Sequence, residues 1–164
     1  MDQLEQKTFT TSRSITYTYY RSPSDSSINP KTPTLLLHHG FPDDAHLWAE
    51  IVPELLKLPY PLLIPDLLGY AGTSKPTDSS LYNYRDQSKD VSEILDAENI
   101  SSVIVIGHDW GSIFTQRFYL FYPERVVGLI LVNLAYIPPN HDTPFDLNGV
   151  NAMTEKKFGY PLYA

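Results

Sequence analysis

Asp109 sits midway between two glycines, in Gly107-His108-Asp109-Trp110-Gly111, where a strand pattern gives way to a helix pattern. The β-branched run Val103-Ile104-Val105-Ile106 stops at the first glycine. After the second, Phe114, Phe118 and Phe121 recur at the spacing of one helix face. Small residues two places either side of a polar one, at such a junction, are the pattern of a nucleophile elbow. That turn is so tight that its neighbours must be small and its reactive atom is lifted above the sheet. The lifted group here is a carboxylate. The helix dipole keeps it ionised near neutrality, and attack on carbon would leave an ester that water must cleave. The plainer alternative is an N-cap aspartate; the flanking glycines after a buried strand favour the elbow.

A second cluster, His39-Gly40-Phe41-Pro42, follows the apolar run Thr34-Leu35-Leu36-Leu37-His38. Gly40 allows close approach, the Phe41–Pro42 bond is of the kind that is cheaply cis, and a backbone N–H in such a turn can meet a developing oxyanion. The same residues also read as an ordinary strand-to-helix turn, and the two readings are compatible. His38, His39 and His46 match no metal-ligand spacing, so no metal or cofactor is expected and the strand-end histidines read as structural. His108 reads as a half-buried, satisfied ring directed away from Asp109. Trp110 is either a core aromatic or a pocket wall, and the wall is preferred. Asp66 reads as a loop-anchoring carboxylate. The loop Gly69 to Ser74 lacks the Lys-Ser/Thr ending of a phosphate cradle.

The elements that must position these groups follow from periodicity. Phe9 to Tyr20 alternates polar and apolar residues and predicts a half-exposed strand or hairpin at a sheet edge. Ser22 to Pro33 is a loop. Thr34 to His38, Leu62 to Ile64 and Val103 to Ile106 are apolar runs of the buried, parallel kind, and Val126 to Val132 is the next strand, expected to be left as an apolar sheet edge with no neighbour. Leu47, Trp48, Ile51, Val52, Leu55 and Leu56 have helical spacing, broken or restarted at Pro53. Asn83 is placed to cap a helix with Asp86 in its first turn and Val91, Ile94 and Leu95 turned inward. After Tyr136 the pattern dissolves into Ile137-Pro138-Pro139-Asn140 and a polar stretch. The expected fold is α/β, a mostly parallel sheet with helices on both faces and its site at the carboxyl ends of the strands.

Composition narrows the rest. A chain of 164 residues can bury one core. A formal charge of −7 argues against nucleic acid as partner. With no cysteine, disulfides, thiolate metal sites and cysteine nucleophiles are excluded. Met1 to Lys7 is polar, without a signal-peptide core, and no apolar run reaches membrane-spanning length, so a cytoplasmic setting is expected. Oligomeric state is open.

In this order, His39-Gly40-Phe41-Pro42, Asp66 with Gly69-Tyr70-Ala71-Gly72-Thr73-Ser74, and Gly107-His108-Asp109-Trp110-Gly111 resemble the α/β-hydrolase fold. Aspartate followed by tryptophan at the elbow is similar to the epoxide hydrolases of that superfamily. Lys157-Phe158-Gly159-Tyr160-Pro161-Leu162-Tyr163 resembles the opening of their cap domain. The resemblance implies a hydrolase core over residues 1–136 and the beginning of a cap over 137–164. It implies a small-molecule epoxide opened to a diol through an alkyl ester on Asp109. The N–H groups of Phe41 and Trp110 would form the oxyanion hole, and Tyr160 would donate to the epoxide oxygen; otherwise Tyr160 is one surface tyrosine among 12.

The family also employs a histidine to activate water and an acid to orient it, both well downstream of the elbow. The only later histidine is His141, beside Asp142, Asp146 and Glu155, which read as cap-loop carboxylates. Asn133 stands where some relatives place the acid. The chain is therefore expected to be an N-terminal fragment, inactive in turnover. Two alternatives stand beside this reading. One is a haloalkane or haloacetate dehalogenase-type hydrolase, disfavoured because haloalkane relatives tend to carry a donor such as Asn at position 41 and fluoroacetate relatives an Arg at position 110. The other is a degenerate, non-catalytic paralogue.

Overall fold

The computed structural model describes residues 1–23, 26–136 and 147–159. Strands β1 (Glu5–Thr10) and β2 (Thr16–Arg21) form an antiparallel hairpin. They are followed by β3 (Thr34–His38), β4 (Leu62–Pro65), β5 (Val103–His108) and β6 (Val126–Val132). The six-stranded sheet runs β1-β2-β4-β3-β5-β6. β2 meets β4 antiparallel, while β4, β3, β5 and β6 are mutually parallel.

This order has a physical consequence for the site. From β3 the chain winds one way to β4, then crosses back to place β5 on the other side of β3. The connections leaving β3 and β5 part to opposite faces and open a crevice at the carboxyl ends of those two strands. His39 to Phe41 and Asp109 lie there.

The apolar runs of β3, β4 and β5 lack alternation because both faces of the sheet are covered there, whereas β6 is only half covered. Leu36, Leu63, Val103 and Val105 face Val91, Ile94 and Leu95 of α2 (Tyr84–Ala97) and Phe114 and Phe118 of α3 (Trp110–Phe121). Leu35, Leu37, Leu62 and Ile64 face Ala45 and Trp48 of a 3-10 turn and Val52 of α1 (Val52–Leu55). Pro53 sits in the first turn of α1, so the helical spacing of 47–56 resolves into two short pieces. Asn83 caps α2 as its position suggests, accepting from the Asp86 N–H at 2.9 Å. The turn of the β1–β2 hairpin is tied to α2 through Arg13, whose Nε donates to Asp90 Oδ1 at 3.0 Å; Tyr17 donates its hydroxyl to the same buried carboxylate, also at 3.0 Å.

Three expectations need correction. β1 is the half-exposed edge strand, but Tyr17 to Tyr20 of β2 are all buried, because β2 lies between β1 and β4. Phe121 leaves the buried face shared by Phe114 and Phe118; it is half-exposed, with the Arg85 guanidinium 4.9 Å from its ring centre. The stretch after 146 is not uniformly irregular: α4 spans Leu147–Phe158. Lys156 and Lys157 in its last turn suit the helix dipole. Gly159, at φ 84°, ends it by returning its N–H to the Glu155 carbonyl at 2.8 Å.

Candidate active site

The bend at Asp109 is made possible by what its neighbours lack. A Cβ on Gly111 would lie 2.3 Å from the carbonyl oxygens of His38 and His39. One on Gly107 would lie 2.5 Å from the Gly111 carbonyl oxygen and 2.6 Å from Thr115 Oγ1. The start of α3 therefore presses directly on the ends of β3 and β5. Asp109, at φ 54° and ψ −126°, takes up the turn in a region that non-glycine residues rarely occupy. Its backbone is pinned by an N–H bond to the Val132 carbonyl at 3.2 Å and by the Ser112 N–H, which it accepts at 2.8 Å.

Asp109 occupies the N-cap position of α3, yet its side chain makes no capping bond. Its Oδ1 instead accepts the backbone N–H of Phe41 at 3.0 Å. Gly40 is what lets the two segments meet, since a Cβ there would lie 2.6 Å from Asp109 Cβ and Oδ1. The Phe41–Pro42 peptide is cis. Trp110 opens α3, so its backbone N–H is a helix-start donor adjoining the same carboxylate.

The loop that supplies Phe41 is held from below. His39 is buried; its Nε2 accepts the Leu67 N–H at 2.9 Å, so its Nδ1 carries the proton and donates to the Gly40 carbonyl at 2.9 Å. Burial lowers the pKa of this ring, keeping it in that neutral form. Asp66 anchors the next loop, accepting from the Ala45 N–H at 2.9 Å and the Gly72 N–H at 3.2 Å. His38 is fully buried against Phe114 and bonds Thr115 Oγ1 through Nδ1 at 2.9 Å; burial pushes its pKa down to about 3. His108 pairs with Asn133, Nε2 to Nδ2 at 2.9 Å. His46 bonds Asp44 in an exposed turn, apart from the other two histidines considered as ligands.

Two residues of the site escaped the sequence reading. Ser112 fastens the elbow, its hydroxyl donating to the Gly107 carbonyl at 2.6 Å. Its place one residue after the second glycine was the available signal. Tyr70 stands edge-on to His39, ring centres 4.9 Å apart, and its pKa is raised by burial first and then by the negative charge of Asp109. No spacing rule links residue 70 to residue 109; only the fold does.

Tyr70 and Trp110 share an apolar cleft of about 220 Å³. Larger hollows among the described residues, of about 660, 470 and 430 Å³, lie at the other end of the molecule, the second bounded by Thr34, Pro61 and Ser101 at the amino ends of the parallel strands. The smaller cleft lies at the carboxyl ends, where open α/β sheets bind ligands, and is lined by Trp110, the residue that follows Asp109. Tyr160 and His141 lie outside the described residues. Among the described residues no group of three acidic or histidine side chains could hold a metal ion, and no helix is long and apolar enough to cross a membrane.

Residues 33–156 match the family model described as the alpha/beta hydrolase fold. Among curated relatives, the chain is 39% identical over 131 residues to epoxide hydrolase srdG of Neurospora crassa, covering 78% of this chain and 38% of that protein. It is 35% identical over 105 residues to a fluoroacetate dehalogenase of Burkholderia sp, covering 62% and 34% respectively. Among solved structures, that of epoxide hydrolase VrEH1 from Vigna radiata superposes with a TM-score of 0.78 at 25% identity, over 96% of this chain and 47% of that one. The chain thus spans less than half the length of each of these proteins.

Proposed function

The chain belongs to the α/β-hydrolase fold family and is epoxide hydrolase-like, and from that premise we propose that it carries the nucleophile and oxyanion-hole half of an epoxide-opening site. The observation that carries the reading is the 3.0 Å bond from the Phe41 N–H to Asp109 Oδ1. One carboxylate oxygen is thereby tied to a backbone donor, and the other is left for attack.

Oδ2 attacks an epoxide carbon; the C–O bond of the ring breaks and its electrons go to the departing oxygen. That oxygen takes a proton from a tyrosine hydroxyl, assigned to Tyr160, which is then reprotonated from solvent. Oδ1 becomes the carbonyl oxygen of the new ester. Water adds to the ester carbon after giving up a proton to a base, and negative charge collects on Oδ1, where the N–H groups of Phe41 and Trp110 receive it. Collapse returns the carboxylate and releases a diol, so that one epoxide and one water are consumed. The base belongs to the whole protein's reaction; His108 is engaged with Asn133. In this reading residues 137–164 begin a cap over the site.

Incubation with a reactive epoxide, followed by intact and peptide mass spectrometry, tests this. One covalent adduct per chain, located on Asp109 and absent from Asp109→Asn, is expected. An adduct elsewhere, or one that survives the substitution, removes the nucleophile. The similarity to the Burkholderia enzyme supports a second reading, in which the same ester forms with loss of halide. Release of fluoride or chloride from a haloacid would favour it.

A further inference from the structure

Negative charge develops on two oxygens in turn, first on the departing ring oxygen and then, when water adds, on Asp109 Oδ1. The N–H groups of Phe41 and Trp110 serve the second. The ring oxygen leaves from the far side of the attacked carbon. A donor for it therefore stands roughly 6–7 Å from the attacking carboxylate, within reach of its charge but not of its hydrogen bonds.

Tyr70 meets that condition from the hydrolase core. Its half-buried side chain shares a cleft wall with Trp110, the residue after Asp109. The ring stands edge-on to His39 with centres 4.9 Å apart, and His39 in turn donates to the carbonyl of Gly40, whose backbone abuts Asp109. Burial and then the charge of Asp109 raise the pKa of the hydroxyl, which keeps its proton available to donate. Yet that hydroxyl is bonded neither to Asp109 nor to any other described residue. The neighbouring Tyr82, by contrast, spends its hydroxyl on the Pro76 carbonyl at 2.9 Å.

The backbone fixes where Tyr70 points. It lies between Gly69, at φ 95°, and Ala71, at φ 34°, a conformation that non-glycine residues rarely adopt. Its N–H is bonded to the Leu67 carbonyl at 3.0 Å, and its carbonyl accepts the Thr73 N–H at 2.9 Å. A turn held so firmly beneath a polar group without a partner points to a ligand for that group.

We propose that Tyr70 is a catalytic residue supplied by the core: its hydroxyl donates a hydrogen bond to the epoxide oxygen as the C–O bond breaks and the electron pair moves onto that oxygen. The proton transferred is the one assigned to Tyr160, and Tyr70 keeps its own. The inference rests on the reading of Asp109 as nucleophile.

Two alkylating reagents separate this role from packing. 1,2-Epoxybutane leaves an alkoxide, which needs a donor, whereas allyl bromide leaves bromide, which does not. The rate of ester formation on Asp109 is followed by peptide mass spectrometry for the unaltered chain and for Tyr70→Phe, which keeps the ring against His39. The epoxide-to-bromide ratio should fall at least about tenfold, since removing one donor to a developing oxyanion costs about 100-fold or more and Tyr160 remains. Tyr70→Met, which also lacks the hydroxyl, should show the same fall and serves if the phenylalanine variant does not fold. An unchanged ratio, whether both reagents are slowed alike or neither is, reduces Tyr70 to packing and overturns the proposal while the nucleophile stands. Labelling of Asp109 by neither reagent in the unaltered chain overturns both.

Discussion

Acidification should unfold this protein through a histidine that has no part in the proposed chemistry. His38 is fully buried at the end of β3, with Thr115 Oγ1 on Nδ1 and the rings of Phe114 and Phe118 around it. Among the described residues its Nε2 has no partner, so a second proton would be unsolvated and unpaired. Burial holds the folded pKa at about 3, whereas the unfolded chain titrates near 6.5. Above the unfolded value the ring is neutral in both states and stability is intact. As pH falls below it, only the unfolded chain takes up the proton, and stability is lost until the folded value is reached. At about 1.4 kcal/mol per pH unit, the full gap allows a loss of about 5 kcal/mol, of which about 2 kcal/mol is reached by pH 5. His39, also lowered by burial, adds in the same direction. Glu93 and Glu98, held below the usual glutamate range, lose their contribution only at lower pH. Urea unfolding at pH 7.5 and 5.0 reads the effect: with a slope of about 2 kcal/mol per molar, the midpoint should fall by about 1 M. His38→Gln should start less stable but lose far less on acidification. A midpoint that stays put in the unaltered protein, or falls as steeply in the variant, refutes the reasoning.

Other outcomes follow from single contacts. Arg13→Ala leaves the fully buried Asp90 carboxylate without its cation and should cost about 3–5 kcal/mol, read as a drop of about 10 °C in thermal midpoint. Asp66→Ala leaves the Ala45 and Gly72 N–H groups without their acceptor; a loss of about 2–4 kcal/mol in urea unfolding is expected, with Asp66→Asn losing less. Gly111→Ala drives a methyl group into two backbone carbonyls and should cost about 3 kcal/mol or more, seen as loss of soluble folded protein by circular dichroism. Val127 and Ile130 are exposed on β6, which among the described residues pairs only with β5. Self-association by sedimentation is therefore expected, and V127K with I130K should reduce it. A clean monomer without the substitutions would count against that.

Much of this was legible from the residues alone, for identifiable reasons. The apolar runs of β3, β4 and β5 pointed to a sheet covered on both faces because strand-length apolar stretches without alternation, bounded by turn residues, suit buried parallel strands. Asn83 and Asp86 announced the start of α2 because capping is local chemistry. The Phe41 N–H was expected as a donor through the family resemblance of His39-Gly40-Phe41-Pro42 and not through spacing; it donates to Asp109 Oδ1. What stayed hidden depended on neighbours far apart in sequence. The full burial of Tyr17 to Tyr20 follows from β4 arriving beside β2. The proximity of Tyr70 to Asp109 follows from the winding of the sheet. α4 was missed for a different reason: Leu147 to Phe158 has little amphipathic pattern, and its clearest signal was Gly159 just beyond its end.

The backbone itself separates the working end of the molecule from the rest. Among the described residues, five that are not glycine have positive φ: Ser14, Ala71, Asn99, Asp109 and Asn133. Ser14 closes the β1–β2 hairpin and Asn99 the turn after α2, both at ordinary reversals. Ala71, Asp109 and Asn133 lie past the carboxyl ends of β4, β5 and β6, three strands that run parallel within one sheet. Asn133 is a residue type that tolerates positive φ, but Asp109, at φ 54° and ψ −126°, carries strain of order 1–3 kcal/mol, which persists only where surrounding contacts over-determine it, and here they do. Asp66 receives the Gly72 N–H, the Phe41 N–H and the Val132 carbonyl hold Asp109, and His108 holds Asn133. Local rules that are broken side by side along one rim, each with its own restraint, mark a surface whose shape has been set for something other than stability. The nucleophile proposed for this chain stands in the middle of that rim.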